Sequence, residues 1–115
     1  MSRNYVLVLV LLTVVVALVA GPRIDLSLNI YPNPFKTETN IVCGIPSPTM
    51  VSVVIYQKPG LILKTVHRGY CSEGVYSFTW DGRNDNGNLL PKGSYTCDLT
   101  VQGRFTSVKK IIIMK

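Results

Sequence analysis

From Arg23 onward the apolar positions recur in short alternating runs, and no stretch sustains the i, i+3, i+4, i+7 spacing of a helix face. Val, Ile, Tyr and Thr fill the runs while Gly, Pro and Asn separate them, the composition of extended strands joined by tight turns. Seven strands are predicted: Asp25 to Tyr31, Thr39 to Ile45, Met50 to Gln57, Leu61 to Arg68, Gly74 to Trp80, Gly93 to Gln102 and Ser107 to Met114. Strands at this spacing, filling about ninety residues, predict an all-β fold, an antiparallel sandwich of immunoglobulin-like type.

Turn chemistry supports these boundaries. Pro32 and Pro34 lack the N–H that a ladder needs, so Tyr31-Pro32-Asn33-Pro34-Phe35 leaves the sheet, and Pro46 and Pro48 close the second strand in the same way. Pro59-Gly60 joins the third and fourth strands as a hairpin, and Gly103-Arg104 does the same for the last two. Alternation then selects the inward faces. These are Ile41, Cys43 and Ile45; Val51, Val53 and Ile55; Val75 or Tyr76 with Phe78 and Trp80; and Tyr95, Cys97, Leu99 and Val101.

The first twenty residues follow a different pattern. Val6 to Ala20 is apolar apart from Thr13, Arg3 precedes it, and Ala17, Val19, Ala20 and Gly21 lead to Pro22. That order of n-region, h-region and small residues predicts a signal peptide over residues 1–21, with an uncleaved membrane anchor as the alternative, and one domain over 22–115. The expected location is outside the cytoplasm: periplasm, cell surface or medium. Membrane contact is expected only through the N-terminal segment.

Charge narrows the partners. Twelve Lys and Arg against six Asp and Glu make the chain mildly basic. The cations are scattered along it, as on a solvated surface, and no nucleic-acid footprint is expected. Seven of the eight residues from Asp81 to Asn88 are Asp, Asn or Gly, and two readings of this segment stand. Asx and Gly residues build compact connections because they bond their own backbone and tolerate left-handed conformations. A calcium loop would instead need oxygen ligands at alternate positions, and Arg83 falls where an acid is wanted. The structural reading is favoured, and no metal or cofactor is expected.

The pattern Tyr31-Pro32-Asn33-Pro34-Phe35, Thr39-Asn40-Ile41, Val53-Val54-Ile55-Tyr56, Gly74, Trp80-Asp81-Gly82, Asp85, Gly87, Pro91, Gly93, Tyr95 and the terminal Lys109-Lys110-Ile111-Ile112-Ile113-Met114-Lys115 resembles the FlgD-type immunoglobulin-like domain. It is similar too to the C-terminal type A sorting domain of type IX secretion cargo. The resemblance covers about residues 29 to 115. It implies a β-sandwich whose motif residues are structural, and it makes Lys109 and Lys110 on the last strand, with Lys115 after it, the candidates for sorting.

Correspondence of the second and sixth strands with those of an immunoglobulin-like sandwich implies a Cys43 to Cys97 bridge beside buried Trp80. Two reduced core thiols are the alternative. Cys71, near a turn, is left over and is either free or a link between chains. Catalytic chemistry has little to draw on. His67 is the single histidine, and no Cys-x-x-Cys, Gly-x-Ser-x-Gly or glycine-rich phosphate loop occurs.

The expected function is therefore non-catalytic: an exported module, associated with the cell surface or with secretion, that acts by contact with protein partners of such an apparatus. A carbohydrate- or cell-wall-binding module is the alternative, with Tyr31, Tyr56, Tyr70 or Tyr76 as stacking platforms for surface polysaccharide.

Overall fold

The computed structural model describes residues 23–104 and 106–115; the signal or anchor reading of residues 1–21 lies outside them. Seven strands run in the order β1 (Ser27–Tyr31), β2 (Thr39–Ile45), β3 (Thr49–Tyr56), β4 (Ile62–Cys71), β5 (Gly74–Trp80), β6 (Gly93–Val101) and β7 (Thr106–Met114), with a 3-10 turn at Gln102–Arg104 before β7. All sheet pairings are antiparallel. One sheet has the order β1-β2-β5 and the other β4-β3-β6-β7. The fourth strand thus sits beside the third, on the sheet opposite the one it takes in an immunoglobulin constant domain.

The predicted alternation holds. Ile41, Cys43, Ile45, Val51, Val53, Ile55, Tyr95, Cys97, Leu99 and Val101 are buried, and Trp80 is 1% exposed. On β5 it is Tyr76, not Val75, that packs against the core; Val75 is 65% exposed. Trp80 anchors one end, where Phe35 lies tilted against it at 5.5 Å and Tyr95 meets it edge-on at 5.6 Å. Aromatic pairs in these orientations contribute about 0.5–1.5 kcal/mol each beyond the area they bury. The indole N–H is satisfied by the Arg83 carbonyl at 2.9 Å. The Tyr95 hydroxyl donates to the Pro91 carbonyl, a short-range tie of the kind that fixes strand entry in immunoglobulin-like domains.

β4 departs most from expectation. It runs on to Cys71 instead of stopping at Arg68 and carries register shifts opposite Val53/Val54 and Ile55/Tyr56. Gly69 does not break it: pairing with β3 continues through Gly69 opposite Val51 to Cys71 opposite Thr49. Cys71 is buried as a result. Cys43, Cys71 and Cys97 are all free thiols, so the expected Cys43 to Cys97 bridge is not formed in the structure.

Candidate functional site

The segment after Trp80 folds as a set of local caps. Asp81 accepts a hydrogen bond from the Arg83 N–H at 3.1 Å and pairs with the Arg83 side chain at 3.7 Å. Asn84 accepts from the N–H groups of Asn86 and Asn88 at 3.0 and 2.9 Å. Gly82 and Gly87 have φ of 78° and 82°, the left-handed conformation glycine adopts without strain. At Gly82 a second constraint applies, since a Cβ there would lie 2.5 Å from the Met114 sulfur.

Asp85 is aimed elsewhere. Both its carboxylate oxygens accept from the Thr65 N–H, at 3.1 and 3.2 Å, and its own N–H donates to the Leu63 carbonyl at 3.0 Å. Lys64, between those two residues, lies 3.8 Å from the same carboxylate. Asp85 therefore occupies the open edge of β4 as a partner strand would. Unpaired strand edges invite association with other chains, and covering them is how β proteins avoid it.

The Tyr31-to-Phe35 turn does the same for β7. The Asn33 side-chain amide donates to the Ile111 carbonyl at 2.7 Å and accepts from the Ile113 N–H at 2.9 Å. One residue pair further on, the Phe35 N–H donates to the Ile113 carbonyl and the Lys115 N–H to the Phe35 carbonyl, both at 2.9 Å. Thr39 locks the turn by donating to the Pro32 carbonyl at 2.6 Å. Each end of the four-stranded sheet is thus closed by one Asx side chain with backbone help. The residue pairs concerned are separated by 20 and 78 to 80 positions in the chain, beyond the reach of local pattern reading.

The sorting candidates do not converge. Alternation along β7 puts Lys109 on the outer face opposite Asp98, while Lys110 points to the other side in register with Cys97. Lys115 lies past the end of the strand, held through its backbone. Ile111 and Ile113 share the Lys109 face and are 54% and 41% exposed, while Ile112 and Met114 are buried. The candidate platforms separate as well. Tyr31 and Tyr70 are 80% and 67% exposed but stand on opposite sheets. Tyr76 is half-buried and bonded to Ser72, and Tyr56 is half-buried.

On the outer face of the four-stranded sheet, Met50, Ser52, Arg68, Thr100 and Gln102 line a groove of about 420 Å³. Among the described residues no group of three or more His, Cys, Asp or Glu gathers as a ligand set. A contact absent from the expectations is that of His67 with Cys71. Its signal was in the sequence: residues at i, i+2 and i+4 of a strand share a face, which sets His67 and Cys71 on the same side of β4.

A profile of the FlgD Ig-like domain matches residues 35–104. The basal-body rod modification proteins FlgD of Salmonella typhimurium and of Escherichia coli K12 are each 34% identical over 58 residues, half of this chain and 25% of theirs. The chain thus spans about a quarter of the length of these relatives. Among solved structures, PorZ, described as an essential bacterial surface component of the type IX secretion system of Porphyromonas gingivalis, superposes with a TM-score of 0.51 at 16% identity, over 77% of this chain and 11% of that one. With that profile covering more than half of it, the chain belongs to the FlgD Ig-like domain family.

Proposed function

We propose that this chain is an exported, non-catalytic docking module that engages a protein partner of a secretion or cell-surface apparatus through the outer face of β7. The carrying observation is the contrast along that strand. Its backbone edge from Ile111 to Lys115 is closed by Asn33 and Phe35, while Ile111 and Ile113 stand exposed next to Lys109. A partner reading β7 there meets side chains, not a free strand edge. Apolar side chains flanked by a cation suit a protein surface with a small apolar pocket and an acidic rim. The scattered tyrosines offer no shared platform, which favours this reading over carbohydrate binding.

Deleting β7 would not test the idea, because Ile112 and Met114 belong to the core. The informative variants change its outer face alone. A reporter fused to the chain, expressed in a bacterium with a type IX apparatus, should lose surface display with Ile111→Ser/Ile113→Ser or Lys109→Glu and keep it with Tyr31→Ala/Tyr70→Ala. Unchanged display in the β7 variants, together with polysaccharide retention that the tyrosine changes abolish, would establish the carbohydrate reading instead.

A further inference from the structure

His67 and Cys71 meet on the inward side of β4, at the margin between the two sheets. Register sets His67, Gly69 and Cys71 opposite Val53, Val51 and Thr49, so the three share the core-facing side. A Cβ at Gly69 would lie 3.7 Å from both Cε1 and Nε2 of the imidazole, so the ring lies back along the strand over the glycine. Phe78 of β5 stacks on it with centroids 5.0 Å apart and planes at 26°. Held from two strands, the imidazole brings Nε2 to 3.4 Å from the Cys71 thiol. His67 itself is half-buried and gives the pair a side open to solvent.

Cys43 supplies a second sulfur. It stands on β2 opposite Tyr76 of β5. The Tyr76 hydroxyl donates to the Ser72 carbonyl at 2.9 Å and lies 3.1 Å from the Ser72 hydroxyl, which draws the residue after Cys71 toward the Cys43 level of the first sheet. Cys43, Cys71 and Cys97 belong to one buried cluster, in which Cys43 feels the charge of Cys71, and Cys97 that of Cys43. Burial raises all three thiols above their ordinary value of 9.0, Cys43 to about 11 and Cys97 to about 12. A buried protonated thiol is inert unless a base takes its proton. Cys71 has such a base in contact.

We propose that Cys71 is an oxidation site, with His67 as its proton acceptor and Cys43 as its resolving thiol, at which hydrogen peroxide closes a disulfide between the two sheets. Peroxide is close to water in size and suits a thiol at the margin of a core. His67 Nε2 takes the Cys71 proton as the sulfur attacks one peroxide oxygen. The O–O bond breaks, and the departing hydroxide recovers that proton and leaves as water, giving a sulfenic acid on Cys71. The Cys43 sulfur then attacks the Cys71 sulfur, the S–O bond breaks, and the Cys43 proton leaves with the hydroxide as a second water. Two thiols lose two electrons and one peroxide becomes two waters. The bridge ties the central strand of the first sheet to the edge strand of the second.

The test exposes the reduced, purified chain to graded hydrogen peroxide, quenches by alkylation and maps peptides without reduction, alongside Cys43→Ser, Cys97→Ser and His67→Phe. A Cys43 to Cys71 peptide is expected as the first product, unchanged in Cys97→Ser. Cys43→Ser should stop at a Cys71 sulfenic acid trapped by dimedone. His67→Phe keeps a ring against Phe78 but lacks Nε2, and should slow Cys71 oxidation roughly a hundredfold at an unaltered melting temperature. A Cys43 to Cys97 first product, or Cys71 oxidation as fast in His67→Phe as in the parent, overturns the proposal. Should that variant not fold, the order of reaction in the parent decides: Cys71 first supports the site, and Cys43 or Cys97 first refutes it.

Discussion

At the scale of single residues, the acidic loop divides its work unequally. Asp81 caps one N–H and pairs with Arg83 at an exposed site, whereas Asp85 ties the loop to β4 through three backbone contacts. Exposed ion pairs contribute little, so Asp81→Ala should lower stability by under about 1 kcal/mol. Asp85→Ala removes the charged acceptor of the Thr65 N–H and should cost about 1.5–3 kcal/mol. Urea titrations of the two variants rank them, and the reverse order would contradict the geometry. Gly82→Ala should cost more than either, roughly 2 to 5 kcal/mol, because left-handed backbone strain adds to displacement of the Met114 sulfur. The Trp-Asp-Gly motif was visible in the sequence as a turn. That its glycine also makes room for a residue of the last strand was not, since no local rule relates Gly82 to Met114.

At the scale of elements, alternation and turn residues were enough to locate every strand, and β2 and β5 end where the pattern places them. The errors fall where a distant contact overrides local preference. β4 passes through Gly69 as the His67 ring stacks on Phe78 of the facing sheet, and β1 begins at Ser27, where Gly44 admits the Asp25 carbonyl and the Ser27 hydroxyl at distances a side chain would forbid. The edge closures were equally hidden. Asn33 and Asp85 read as turn formers, and only the fold shows which strands they cover. Asn33→Ala should therefore speed amide exchange at Ile113 with little change at Thr65, and Asp85→Ala should do the reverse. Exchange measured residue by residue checks this, and equal acceleration at both sites would mean that the edges open together.

At the scale of the whole molecule, the buried thiols make the sandwich sensitive to alkali when reduced. Cys43 and Cys97 ionise at about 11 and about 12 in the folded chain against an ordinary 9.0, because burial disfavours the thiolate and each feels a neighbouring charge. Protons are then bound more tightly in the folded state than in the unfolded one. Their stabilising effect is whole below pH 9 and is lost as pH rises toward 11 and 12, at about 1.4 kcal/mol per pH unit for each thiol. Urea midpoints measured under reductant from pH 8 to 11 should fall more steeply for the parent than for Cys97→Ala. The closures of the four-stranded sheet carry a consequence of another kind, for chemical ageing. Deamidation of asparagine proceeds by attack of the following backbone nitrogen on the side-chain amide, and Asn33 is followed by Pro34, whose nitrogen bears no hydrogen. The amide that donates to Ile111 is thereby shielded from the reaction that would turn it into a carboxylate facing that carbonyl. Asn86, followed by Gly87, has no such protection, and its side chain closes neither edge. Time should therefore mark the loop while leaving the clasp on the last strand intact.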